Sequence, residues 1–155
     1  MIKTKAIVGL LLAVVTAGAF AVASSAENAR SSPRSGELQV TKDCDGYSGL
    51  AGQHCTITSS SLPAIKPGSK VIYASAAGDP IAGQLNSDLI IDGPGNNNAY
   101  GHVVLDLATF TGTVTLSGGT GTFRRFHARV AVTPLGWPNF AWDGTYTFGR
   151  SDDDD

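Results

Sequence analysis

From residue 36 onward, apolar and polar residues alternate in short runs, and Gly, Pro and Asn clusters separate the runs. A period of two places successive side chains on opposite faces of a strand. Helical spacing is almost absent. The pattern predicts strands near 37–42, 53–59, 69–76, 86–92, 99–108, 111–117, 121–133 and 139–149. In the last of these, Phe140, Trp142, Tyr146 and Phe148 share a face opposite Ala141, Asp143, Thr145 and Thr147. In 99–108, Val103, Leu105 and Leu107 oppose Tyr100, His102, Val104 and Asp106. In 121–133, Thr122, Arg124, Phe126, Ala128, Val130 and Val132 oppose Phe123, Arg125, His127, Arg129 and Ala131. About eight short strands with short connections predict an all-β domain, a single antiparallel up-and-down barrel or a sandwich. Closure into a barrel removes the unpaired edges that a small sheet exposes.

The turn residues agree with this division. Asp92-Gly-Pro-Gly-Asn-Asn-Asn98 is the densest breaker cluster and suits a hairpin loop. Ser117-Gly-Gly-Thr-Gly121 allows positive φ at several positions. Pro134-Leu-Gly-Trp-Pro138 closes the last hairpin.

The N-terminus follows a different rule. Lys3 and Lys5 precede an uncharged, largely apolar run that ends in Ala21-Val-Ala-Ser-Ser-Ala26. Charged, apolar and small-residue regions in that order predict a secretory signal peptide over 1–26, cleaved after Ala23 or Ala26. The alternative is an uncleaved anchor, because the run approaches the ~20 residues that span a bilayer. That segment is the single predicted membrane contact. Residues 27–36 read as a flexible linker, 37–149 as the barrel domain and 150–155 as an acidic tail. The expected location is secreted, either periplasmic or extracellular.

Charge narrows the function classes. Removing the signal takes two of the 11 basic residues and leaves 9 against 13 acidic ones, a net charge of −4. Four of the acids lie in the tail, so the domain itself is close to neutral. It lacks the basic footprint that nucleic acid requires, and nucleic acid is not an expected partner. The two cysteines, Cys44 and Cys55, are an even count in an exported chain and predict a disulfide closing a glycine-rich loop. Such a bridge contributes about 3 kcal/mol in the chain-entropy view.

The stretch Ser117-Gly-Gly-Thr-Gly-Thr-Phe-Arg-Arg-Phe-His-Ala-Arg-Val-Ala-Val132 resembles the Gly-Gly-Thr/Ser-Gly-x-Phe hairpin of the allene oxide cyclase and dirigent family. Tyr100-Gly-His102 resembles the strand before that hairpin, and Trp142-Asp-Gly-Thr-Tyr-Thr-Phe148 stands where the last barrel strand falls. The likeness covers about residues 69–149. It implies an eight-stranded barrel with an apolar cavity, a trimeric assembly, and ligands steered through cyclisation or coupling without metal or organic cofactor. Residues 36–59 offer no counterpart of the cyclases' catalytic acid, so no catalytic residue is assigned.

No nucleophile elbow, P-loop, HExxH or dinucleotide fingerprint is present. His54, His102 and His127 are dispersed, which predicts no metal site. The candidate ligand-binding residues are Tyr100, His102, Asp106, Trp142 and Tyr146. The first three share a strand face and serve a ligand only if that face is the lumen. The two aromatics belong to the strongest stripe and would line a pocket or pack the core. Arg125, Arg129 and His127 read as a solvated stripe, with Arg124 on the apolar face. Two functions follow: a barrel binding a small apolar molecule and guiding its cyclisation or coupling, or a non-catalytic barrel that sequesters a ligand or contacts proteins.

Overall fold

The computed structural model describes residues 33–149. The signal peptide, most of the linker and the acidic tail lie outside the described residues. Eight strands follow one another: β1 (Ser35–Asp43), β2 (His54–Ser60), β3 (Lys70–Tyr73), β4 (Gln84–Asp92), β5 (Asn98–Asp106), β6 (Thr111–Gly119), β7 (Phe126–Gly136) and β8 (Asn139–Phe148). Each pairs antiparallel with the next, and β8 returns to β1, so the sheet closes into an up-and-down barrel. β1 begins at Ser35, inside the stretch read as linker, because its backbone pairs with Thr147 on β8.

Two expected strand bounds shift for local reasons. The segment 121–133 is not extended from its start, because Gly121–Phe123 forms a single 3-10 turn and β7 begins at Phe126. Arg124 is therefore exposed and does not share the inward row of Phe126 and Val130. The Gly-rich reversal does take positive φ at Gly118 and Gly119, +81° and +159°. Phe123 tucks beneath it and meets Phe126 edge-on, with centroids 5.2 Å apart. The expected strand at 69–76 shortens to Lys70–Tyr73, since beyond Tyr73 the chain turns at Ala74–Gly83.

Alternation sorts the side chains as the pattern predicts. Val103 and Leu105 of β5, Phe126, Ala128, Val130 and Val132 of β7, and Phe140, Trp142 and Tyr146 of β8 are buried inside the barrel. Leu38 and Val40 of β1, Ile57 of β2, Val71 of β3 and Leu89 and Ile91 of β4 meet them from the other side. An eight-stranded barrel has an interior about wide enough for its own side chains or one small ligand, and most of this interior is filled. Cys44 and Cys55 form the disulfide at one end.

Gly144 occupies an inward position between Trp142 and Tyr146, paired with Leu38 and Val130. A Cβ there would run into the Arg129 carbonyl oxygen and the Val130 Cα. The missing side chain lets β8 coil tightly against β7. Gly144→Ala is expected to destabilise by about 3 kcal/mol through overpacking against backbone. Gly46→Ala, where a Cβ meets open space, is expected to be neutral or slightly stabilising. Urea denaturation midpoints of the two variants check the contrast.

Candidate functional site

Because the strands run up and down, four connections gather at one end of the barrel: 44–53, 74–83, 107–110 and 137–138. At the other end, Leu62, Ile65 and Phe123 are buried and plug the lumen together with Phe126 and Tyr146. The first end stays partly open. A cavity of about 40 Å³ lies there, and the hollow reaches about 440 Å³ when the space open to solvent at its mouth is counted. Leu85, Val103, Leu105, Val132 and Phe140 form its walls, and the Cys44–Cys55 bridge forms one side. Leu107, Phe110 and Trp137 stand at the mouth, and Trp137 is 61 % exposed. Leu50, Ile81 and Leu135, on connections or strand ends at this same end, are also exposed.

The mouth is built with some strain. Phe110 has a φ of +56°, a region that bulky residues rarely occupy. Its ring meets Phe140 edge-on at 6.0 Å, and Trp137 meets the same Phe140 ring at 6.3 Å and 89°. The strained backbone thus holds an aromatic ring at the rim.

The floor carries the unexpected group. Lys42 follows Leu38 and Val40 in the inward row of β1 and is only 6 % exposed. Its ammonium lies 5.0 Å from the Trp142 ring centroid, 5.2 Å from Tyr73 and 5.5 Å from Phe140. Nζ donates a hydrogen bond to the Tyr73 hydroxyl. That hydroxyl in turn reaches Cys55 Sγ at 3.7 Å. Among the described residues no carboxylate lines the cavity; Tyr47 and Tyr73 are its other titratable side chains. Asp43, next in the chain, takes the opposite side of the strand, where its Oδ1 accepts the Asp45 N–H.

Burial without a counter-ion pushes the Lys42 amine down from 10.5 to about 7, because desolvation penalises the charged form. The three rings pull the other way by cation–π attraction, but they carry no net charge and desolvation is the larger effect. Burial pushes the Tyr73 hydroxyl up, with Tyr47 adding to the shift, so Tyr73 keeps its proton. Burial also raises Tyr47. The Tyr47 hydroxyl lines the cavity wall without a hydrogen-bond partner.

The five residues singled out from sequence do not come together. Tyr100, His102 and Asp106 face outward; Tyr100 is 42 % exposed. His102 bridges two β4 side chains on the outer surface, Nδ1 to Asp88 Oδ1 at 2.8 Å and Nε2 to Asn86 Oδ1 at 2.9 Å. Asp106 closes the β5–β6 turn, its Oδ1 accepting the Ala108 N–H at 2.7 Å. The face that holds Val103 and Leu105 is the lumen, so these three are remote from the cavity. Trp142 is fully buried and supports Lys42 from within. Tyr146 sits in the plugged end against Phe126 and Phe148, and its hydroxyl donates to the Pro33 carbonyl. Lys42 and Tyr73 were not singled out. The signal for Lys42 lies in Leu38-x-Val40-x-Lys42-x-Cys44, where strict alternation puts a lysine in a row of core residues.

Two outcomes are expected. Below pH 7 Lys42 is protonated in both folded and unfolded states, and the cost of burying an ammonium is carried in full. Between pH 7 and about 10 the folded amine is neutral while the unfolded chain still binds the proton, so stability rises with pH by about 3–5 kcal/mol. Above pH 10 the trend reverses, because Tyr73 stays protonated in the folded state and ionises in the unfolded one. Lys42→Met removes the rise and is more stable than the parent at pH 6, read by urea denaturation at several pH values. The outer His102–Asp88 pair is solvent-screened, so His102→Ala is expected to shift the melting temperature little.

Compared with protein-family models, curated proteins and solved structures, the chain matches none.

Proposed function

We propose that this chain is an exported β-barrel that binds a small apolar molecule at its open end, with a polar atom of the ligand turned toward Lys42 and Tyr73. The observation that carries this reading is the cavity itself: apolar walls, an aromatic mouth and one amine–phenol pair at the floor. Ligand sites have this composition, mostly apolar with a few convergent polar groups. The unpartnered Tyr47 hydroxyl adds a donor that a ligand atom would satisfy, since a buried unpaired polar group is costly. The disulfide fits an oxidising compartment, as the predicted signal peptide requires.

The cavity takes only the head of a ligand, and the tail lies along Leu107, Phe110 and Trp137. Positioning is then the main service the protein offers. Guidance of a cyclisation or coupling, implied by the resemblance to allene oxide cyclases and dirigent proteins, would rest here on Lys42 and Tyr73 for proton handling, because the lining contains no carboxylate. A second reading has its own observation. Leu50, Ile81, Leu135 and Trp137 are exposed at the same end, and a cluster of exposed apolar side chains marks a contact surface for protein partners.

Titration with octan-1-ol, followed by tryptophan fluorescence, separates the readings. Saturable binding is expected, because Trp137 stands at the mouth. Trp137→Ala and Phe110→Ala are each expected to weaken binding about tenfold, equivalent to about 1.4 kcal/mol. A spectrum indifferent to octan-1-ol and to other apolar ligands, with the fold intact, leaves the protein-contact reading.

A further inference from the structure

We propose that Lys42 captures an apolar, unbranched aldehyde as an imine on its Nζ. The proposal rests on the reading that the mouth takes a small apolar molecule, and it names the chemical class of that molecule.

The geometry first asks why a lysine is there. An inward position on an eight-stranded barrel is normally apolar, and a methionine would fill the same space without desolvating a charge. Among the described residues Lys42 has no carboxylate partner, so it is not half of an ion pair within them. It stands at the floor of the one cavity whose lining contains it, in hydrogen-bond contact with a phenol. An amine can serve such a site in two ways, as a cation for an anion or as a nucleophile for a carbonyl. A cation site must keep its charge. A neighbouring carboxylate would hold it, and none lines this floor among the described residues. Burial acts in the opposite direction and leaves a large share of the amine neutral at pH 7. A neutral amine has the lone pair that attacks a carbonyl, and lysines desolvated in apolar pockets are activated in this way.

The neighbours supply the rest of the step. Nζ attacks the carbonyl carbon; a C–N bond forms, and the π pair moves to the oxygen. That oxygen takes one proton from nitrogen, giving a carbinolamine. The hydroxyl then leaves with a second proton as water while nitrogen's remaining pair closes the C=N bond. The amine and aldehyde therefore yield an imine and one water, with no oxidant or reductant. The Tyr73 hydroxyl, held beside Nζ and kept protonated by burial, is placed to pass a proton to the departing oxygen and recover it from nitrogen. Tyr47, the other titratable side chain on the lining, offers its unpartnered hydroxyl as a second donor. A cavity of about 40 Å³ admits a slim terminal carbonyl and excludes a branched one. The alkyl chain leaves past Leu107 and Phe110, where burial of its apolar surface stabilises the complex.

Reductive trapping tests this on the whole exported chain. Octanal and sodium cyanoborohydride at pH 7 are expected to add one octyl group at Lys42, located by peptide mass spectrometry. Lys66 and Lys70, both exposed, are internal controls. At pH 7 an ordinary lysine is almost wholly protonated. After allowance for the lower intrinsic nucleophilicity of a weaker base, Lys42 is expected to react about fortyfold faster than either. Its rate should reach half its maximum near pH 7, where the controls are still rising. Lys42→Met should lose the preferred adduct while keeping its melting transition. Tyr73→Phe should slow adduct formation without abolishing octan-1-ol binding. Labelling spread evenly over Lys42, Lys66 and Lys70 overturns the proposal. So does octanoate binding that tightens below pH 7 with no octanal adduct, which marks an anion site. If octan-1-ol binds and octanal leaves no adduct at Lys42, the imine fails and the apolar site stands; if neither binds, the apolar site falls as well.

Discussion

Closure of the sheet is the constraint from which everything else follows. When β8 pairs with β1, no strand keeps a free edge and no residue can choose its side. The pleat then assigns each side chain to lumen or solvent with a period of two. On an open sheet a lysine between core residues could be relieved by slipping the edge strand. On this barrel β1 is pinned to β8 along its whole length and to β2 from Val40 to Asp43. A register slip would bring Lys42 out only by exposing Leu38 and Val40. The apolar burial of those two side chains thus holds the amine inside.

Closure and strict alternation also decide which features could be read from residues alone. Strand number, the antiparallel order and the lumen faces of β5, β7 and β8 were legible, because long runs such as 99–106 alternate strongly. The Cys44–Cys55 bridge was legible from count and context. The 3-10 turn at Gly121–Phe123 was not, since Thr-Phe-Arg-Arg continues the alternation that β7 resumes after it. The site was poorly legible for a different reason. Tyr100, His102 and Asp106 drew attention as chemically capable residues, yet their neighbours Val103 and Leu105 are the more apolar set and claimed the interior. Lys42 lies in a strand whose alternation is plain, but a lysine is normally assigned to solvent on its type. Tyr73 could not be paired with it, because 31 residues and two intervening turns separate them in the chain.

The two ends of the barrel differ in how they handle the same geometric problem. Strands splay at both rims, and something must fill the lumen there. At the plugged end two connections do so: Leu62 and Ile65 from the β2–β3 link and Phe123 from the β6–β7 link fold inward. At the open end the β5–β6 and β7–β8 turns are short and place Phe110 and Trp137 at the rim rather than across it. The glycine-rich loop that could have covered the opening is tied by Cys44–Cys55 to the wall. The disulfide therefore does more than restrict the unfolded chain; it keeps the loop carrying Tyr47 as a side of the cavity.

The energetics at the floor explain why such a group survives there. A full ammonium in an apolar interior would be prohibitive without a partner. Three aromatic faces and one phenol oxygen compensate part of this, and deprotonation removes much of the rest. The rings favour the ammonium, but desolvation outweighs them and brings the amine down to about 7. Lys42 is thereby left close to balance near neutral pH, in contrast to an ion-paired lysine, which would be fixed in its charged form. Any occupant of the mouth that desolvated this nitrogen further would shift the balance toward the neutral amine, so the solvation of a single nitrogen sets its charge.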